Sequence, residues 1–183
     1  MTKLQKYALA TFITYLLVLI WVISLKCNME WPVFMSRLSM GSMTLAERAE
    51  WSFCHFRFNE DGPIYSPAAI EDMVVNVILF LAVGMLLPMI LEKRKYVATP
   101  LVAFGLSLTF ELVQFFSTVG GFAYIDLITN TLGAILGMII IHLLLKVINP
   151  PLATKILAVV EVAFIAIVIY GTINTVNNIH IYL

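Results

Sequence analysis

Five stretches of the chain, roughly 7–25, 73–91, 97–118, 124–145 and 154–173, are almost uninterruptedly apolar. Each is about twenty residues long, and a helix rising about 1.5 Å per residue crosses a hydrocarbon core of about 30 Å in that length. The pattern therefore predicts a bundle of about five transmembrane helices, an all-α integral membrane protein, with short connections everywhere except after the first helix. There a loop spans about residues 26–72. Within it "TLAE" carries Thr44 and Glu47 at capping-box spacing, which predicts a short helix over about 45–57. Trp31, Trp51, Phe53, Phe56 and Phe58 suit either a segment lying on the outer headgroups or a lid over the helices. Pro63 and Pro67 mark the return into the membrane. The first apolar run follows Lys3 and Lys6 but exceeds a signal-peptide core and lacks a small-residue cleavage site, so it reads as an uncleaved span.

Composition agrees: of 183 residues 61% are apolar and only 12% charged, where soluble domains carry roughly 25% charged residues. Net charge is zero, so nothing argues for nucleic acid as a partner. Lysine and arginine assign the sides. Lys3, Lys6, Lys93, Arg94, Lys95, Lys146 and Lys155 all fall on one side of a five-span topology, while "VGGFA" (119–123) and the tail "NTVNNIHIYL" carry no lysine or arginine. The positive-inside rule then places the amino terminus inside and the long loop outside the cell. Cys27 and Cys54 both lie in that loop, where a disulfide is compatible with the spacing but not required by it. Cys54-His55 has no companions at metal-ligand spacing, and no phosphate loop, H-E-x-x-H or G-x-S-x-G occurs, so no cofactor or metal is expected. Gly84 and Pro88 suggest a bend in the second span.

The chemistry lies in the polar residues inside the spans. At 100° per residue, Ser107, Glu111, Gln114 and Thr118 share one face of the third span, and Asp126, Asn130, Gly133 and Gly137 share one face of the fourth. Gly133-x-x-x-Gly137 permits close backbone approach, so the simplest packing turns the two stripes toward each other. Asp72 and Asn76 form a third polar pair at the start of the second span. Counted by helical rise, Asn76 lies about 5 Å, Asn130 about 9 Å and Glu111 about 10 Å from the outer boundary, with Asp72 and Asp126 near that boundary. The candidate ligand-binding residues are thus Asp72, Asn76, Glu111, Gln114, Asp126 and Asn130, with Gly133 and Gly137 for helix packing. Polar side chains in a bundle often serve only to hydrogen-bond helices together. A carboxylic acid at Glu111 goes further, because an amide would make the same bonds without a latent charge. Glu161 lies toward the inner side, where Lys155 or His142 could pair with it or a proton path could use it. His142, near a helix end, reads as a solvated interface residue.

The run "SLTFELVQFFSTVGGFAYIDLITNTLGAILG" resembles the signature region of the VanZ family, a Glu-x-x-Gln pair followed by an aspartate, an asparagine and glycines. "EDMVVNVILFLAVGMLL" is similar to that family's Asn-x-x-x-Phe segment. The resemblance is clear over about 70–140 and makes residues 1–183 a single VanZ-like membrane domain. It maps the family's polar positions to Asn76, Glu111, Gln114, Asp126 and Asn130. Where many members carry an arginine and a further aspartate before the fourth span, this chain has Gly120 and Ala123. The resemblance implies a multi-pass protein of the bacterial cell membrane that reduces susceptibility to lipoglycopeptides such as teicoplanin, a drug with a fatty acyl chain that acts at the outer leaflet. The expected partners are a membrane lipid, a lipid-linked envelope intermediate, or the drug itself. Three mechanisms compete: an outer-leaflet polar groove that binds drug or lipid; a membrane enzyme acting on a lipid-linked cell-wall intermediate with Glu111 and Asp126 as acid and base, against which no nucleophile is evident; and a small transporter using Glu111 and Glu161, for which five spans are few unless the chain forms a homo-oligomer.

Overall fold

The computed structural model describes residues 1–20, 44, 46–47, 58–59, 62–63, 67–91, 94–117 and 122–149. Between 151 and 170 it describes 151–153, 155–156, 159, 162–163, 165–166 and 169–170. The helices described without interruption are α1 (Lys3–Leu19), α2 (Pro67–Ile90), α3 (Lys95–Ser117) and α4 (Tyr124–Leu144). Besides helices, the described residues hold one two-residue antiparallel ladder, β1 (Phe58–Asn59) with β2 (Gly62–Pro63), pairing Phe58 with Pro63 and Asn59 with Gly62.

Among the described residues three segments are long and apolar enough to cross a membrane: Ile70–Ile90, Lys95–Phe116 and Tyr124–Leu144. They are the second, third and fourth of the expected spans, with ends shifted by a few residues. Of the expected first span, α1 covers Lys3–Leu19 and residues 21–25 lie outside the description; of the fifth, only scattered helical positions are described. The start of α1 is closed by a capping box. Thr2 Oγ1 accepts from the Gln5 backbone N–H at 3.2 Å, and Gln5 Oε1 accepts from the Thr2 N–H at 2.6 Å. The expected box in the long loop is also formed, with Glu47 Oε2 accepting from the Thr44 N–H at 2.6 Å and its hydroxyl at 2.8 Å, and Ala46 and Glu47 are helical. The rest of the helix expected over 45–57 falls outside the described residues, as do Cys27, Cys54 and the loop tryptophans. Helix α2 opens with Pro67 at its first position, where the missing N–H costs nothing.

Helices α2 and α4 form the tightest pair. A Cβ placed on Gly133 would lie 2.3 Å from the Val77 carbonyl oxygen, on Gly137 2.0 Å from that of Leu81, and on Gly84 1.9 Å from that of Ala134. From the Gly133–Val77 contact to the Gly137–Leu81 contact both helices advance four residues, so α2 and α4 run parallel, as two spans separated by one crossing must. The glycines thus serve close approach, but not to the helix expected. The polar half of the α4 stripe meets α3, whereas its glycine half is seated on α2, because only a side-chain-free surface lets two backbones come this near. Gly84 completes the same seam from the α2 side, which is a packing reason for a residue expected to serve a bend.

Helix α3 runs antiparallel to α4: Tyr96 meets His142 at one end, and Glu111 meets Ala123 at the other. Helix α1 packs on α2, with the buried Tyr15 hydroxyl donating to the Leu79 carbonyl. The core where these helices converge holds Leu19, Phe80, Val83, Ala103, Phe110 and Ala134, and Phe80 and Phe110 stack edge to face at 6.5 Å. The outward faces stay apolar, as at Leu101, Phe104, Phe116, Leu132 and Ile139, which suits lipid.

Candidate functional site

Glu111 is 2% exposed, so its carboxylate has left water and needs partners. One is the Ala123 backbone N–H, which donates to Oε2 at 2.6 Å. Ala123 is the N-cap of α4, in extended geometry with no side-chain cap of its own. In a capping box the N-cap N–H is taken by an acid three residues on. Here an acid from the neighbouring helix takes it, so Glu111 ties the entrance of α4 to the end of α3.

One turn earlier on α3, the buried Ser107 hydroxyl accepts from Asn130 Nδ2 at 2.9 Å and faces the Asp126 carbonyl at 3.5 Å. Asn130 is 4% exposed, and its Oδ1 has no hydrogen-bond partner. Turning the amide over would leave its NH₂ in that position instead, so one end of this carboxamide stays unmet among the described residues. A buried acceptor without a donor is uncommon and costs about 1–3 kcal/mol. Gln114 is buried three residues beyond Glu111. Asp126 is half-buried in the first turn of α4, where a carboxylate also suits the positive end of the helix dipole.

The α3 and α4 residues singled out in the sequence therefore come together at one end of the bundle. On α2, Asn76 is half-buried beside Val77, the residue that meets Gly133, which puts it within about a turn of Asn130. Among the described residues no hydrogen bond joins it to the network. Asp72, one turn before it, is exposed. Glu161 lies outside the described residues. Two participants escaped the reading by residue type. Ala123 contributes only its backbone, which no side-chain pattern reveals, and Ser107 belonged to the stripe but is too common inside helices to stand out. No group of three or more His, Cys, Asp or Glu residues that could hold a metal occurs among the described residues.

Membrane-length helices closing on a buried carboxylate and carboxamide define a helical membrane protein with a polar cluster between its spans. The family model described as VanZ/LLP1 matches residues 12–146, and the chain belongs to that family. Protein VanZ of Enterococcus faecium is 28% identical over 116 residues, which is 63% of this chain and 72% of that relative. No solved structure matches the chain.

Proposed function

We propose that this is a multi-pass protein of the bacterial cell membrane that lowers susceptibility to lipoglycopeptides such as teicoplanin, by binding the drug or an envelope lipid in a polar groove at the outer leaflet. Family membership and the likeness to Protein VanZ support the phenotype. The observation that carries the groove is the buried Asn130 acceptor without a partner, beside a buried acid at the same end of α3 and α4. A polar ligand donating a hydrogen bond there would remove the penalty of the orphaned atom, which an apolar chain could not do.

The test is teicoplanin susceptibility of cells expressing wild type, Glu111→Gln or Glu111→Ala at matched membrane levels. Gln keeps an oxygen for the Ala123 N–H and Ala does not. Resistance retained by Gln and lost by Ala is the expected outcome for a binding site. Loss in both variants would favour proton transfer, and with it an enzyme or transporter; retention in both would remove Glu111 from the mechanism. Cell-envelope lipid analysis then separates a binder, which leaves lipids unaltered, from an enzyme, which leaves a product.

A further inference from the structure

At the opposite end of the bundle from Glu111, α3 begins and α4 ends in a second polar feature that the resistance reading does not use. Tyr96 and His142 are joined through Oη and Nδ1 at 2.9 Å, with rings edge to face at 5.6 Å, and Lys95 Nζ lies 5.4 Å from the Tyr96 ring centre. These residues, with Lys146, Pro88 and Met138, line a cleft of about 190 Å³. Among the described residues neither lysine pairs with a carboxylate. The tyrosine–histidine pair keeps a donor however its proton is arranged: if the phenol donates, His142 retains Nε2–H, and if Nδ1 donates, the phenol hydrogen is left. Two cations and at least one neutral donor thus share one cleft, about 24 Å along α3 from Glu111 by helical rise.

Beside it runs an apolar groove of about 200 Å³ lined by Met85, Met89, Leu144 and Ile156, and the two share Ile141 and Leu145. In a bilayer such a groove takes acyl chains whatever their headgroup, so the headgroup decides which lipid stays. Unpaired lysines with neutral donors at the membrane boundary suit a phosphate. We infer that the Lys95–Tyr96–His142–Lys146 cleft holds the phosphate of an anionic phospholipid from the leaflet on the lysine-rich side, with one acyl chain in the adjoining groove.

The test is native mass spectrometry of the full chain in detergent with added phosphatidylglycerol or phosphatidylcholine. Wild type should retain one phosphatidylglycerol at least fivefold in preference to phosphatidylcholine. K95Q/K146Q should lose that preference and K95R/K146R keep it. K3Q/K6Q, which removes two charges elsewhere on the same side, should leave it unchanged. Tyr96→Phe, which keeps the ring and removes the hydroxyl, should reduce retention about twofold or more and gives a milder probe should the double lysine variant not fold. No preference in wild type, an equal loss in K3Q/K6Q, or displacement of the lipid by millimolar inorganic phosphate would overturn the assignment, the last by pointing to a soluble phosphate.

Discussion

The part of Glu111 that faces Ala123 has a structural consequence that can be separated from ligand binding. Replacing it by Ala strands the half-buried Ala123 N–H at a cost of up to about 1–3 kcal/mol, while Gln keeps an acceptor and should lose much less. Thermal unfolding of the detergent-solubilised variants measures the difference. Glu47 offers a test in the long loop. The Thr44 backbone N–H and then the Thr44 hydroxyl hold its carboxylate below the usual glutamate range. A group whose pKa falls on folding stabilises the fold above its unfolded value, about 4.3, and loses that contribution as pH drops through the depressed folded value. Thr44→Val, which keeps the backbone donor and removes the hydroxyl, should move the Glu47 side-chain carbonyl titration part of the way up toward the ordinary value, as read by carbon-detected NMR; an unchanged titration would mean the hydroxyl does not contribute in solution.

Helix packing carries a sharper contrast. A methyl at Gly137 would lie 2.0 Å from the Leu81 carbonyl oxygen, whereas one at Gly105, on the exposed face of α3, meets nothing within 4 Å. Gly137→Ala should destabilise by on the order of 1–3 kcal/mol through forced separation of α2 and α4. Gly105→Ala should be neutral or stabilise by about 0.5–1 kcal/mol through helix propensity. Unfolding of the two variants side by side checks both. The spacing of Gly133 and Gly137 was enough to announce a close contact but not its partner. A stripe gives a direction around one helix, and which neighbour lies there depends on the turns on either side. The same limit applies to Gly84, whose reason lies in Ala134, fifty residues away in sequence. The α3–α4 contact was more legible, because Glu111 and Asn130 are each too costly to leave facing lipid and a short connection makes the two helices neighbours. The tie to Ala123 was hidden because a backbone donor has no residue signature, and the Tyr96–His142 pair because each residue alone suits a membrane boundary.

For the molecule as a whole, antiparallel α3 and parallel α2 and α4 place Arg94 and Lys95 at one end and the Glu111–Ala123 contact at the other. By the positive-inside rule we propose that the polar cluster sits at the outer face and the lysine-lined cleft at the inner one. In a chain whose Cys27 and Cys54 are replaced by serine, Gly120→Cys should react with a membrane-impermeant maleimide in intact cells and Arg94→Cys only after permeabilisation. The reverse pattern would invert the assignment of both sites.

The central claim is that the outward end of α3 and α4 is a place where a polar ligand is held, beyond a set of bonds holding two helices. A crystal structure of the full chain grown in lipid with teicoplanin present tests it most directly. The account predicts a hydrogen-bond donor of drug or lipid within reach of the Asn130 carboxamide, with Glu111 still turned toward Ala123. A closed, dry contact there, with Asn130 satisfied by the protein alone or the Glu111 side chain turned out to lipid, would contradict it.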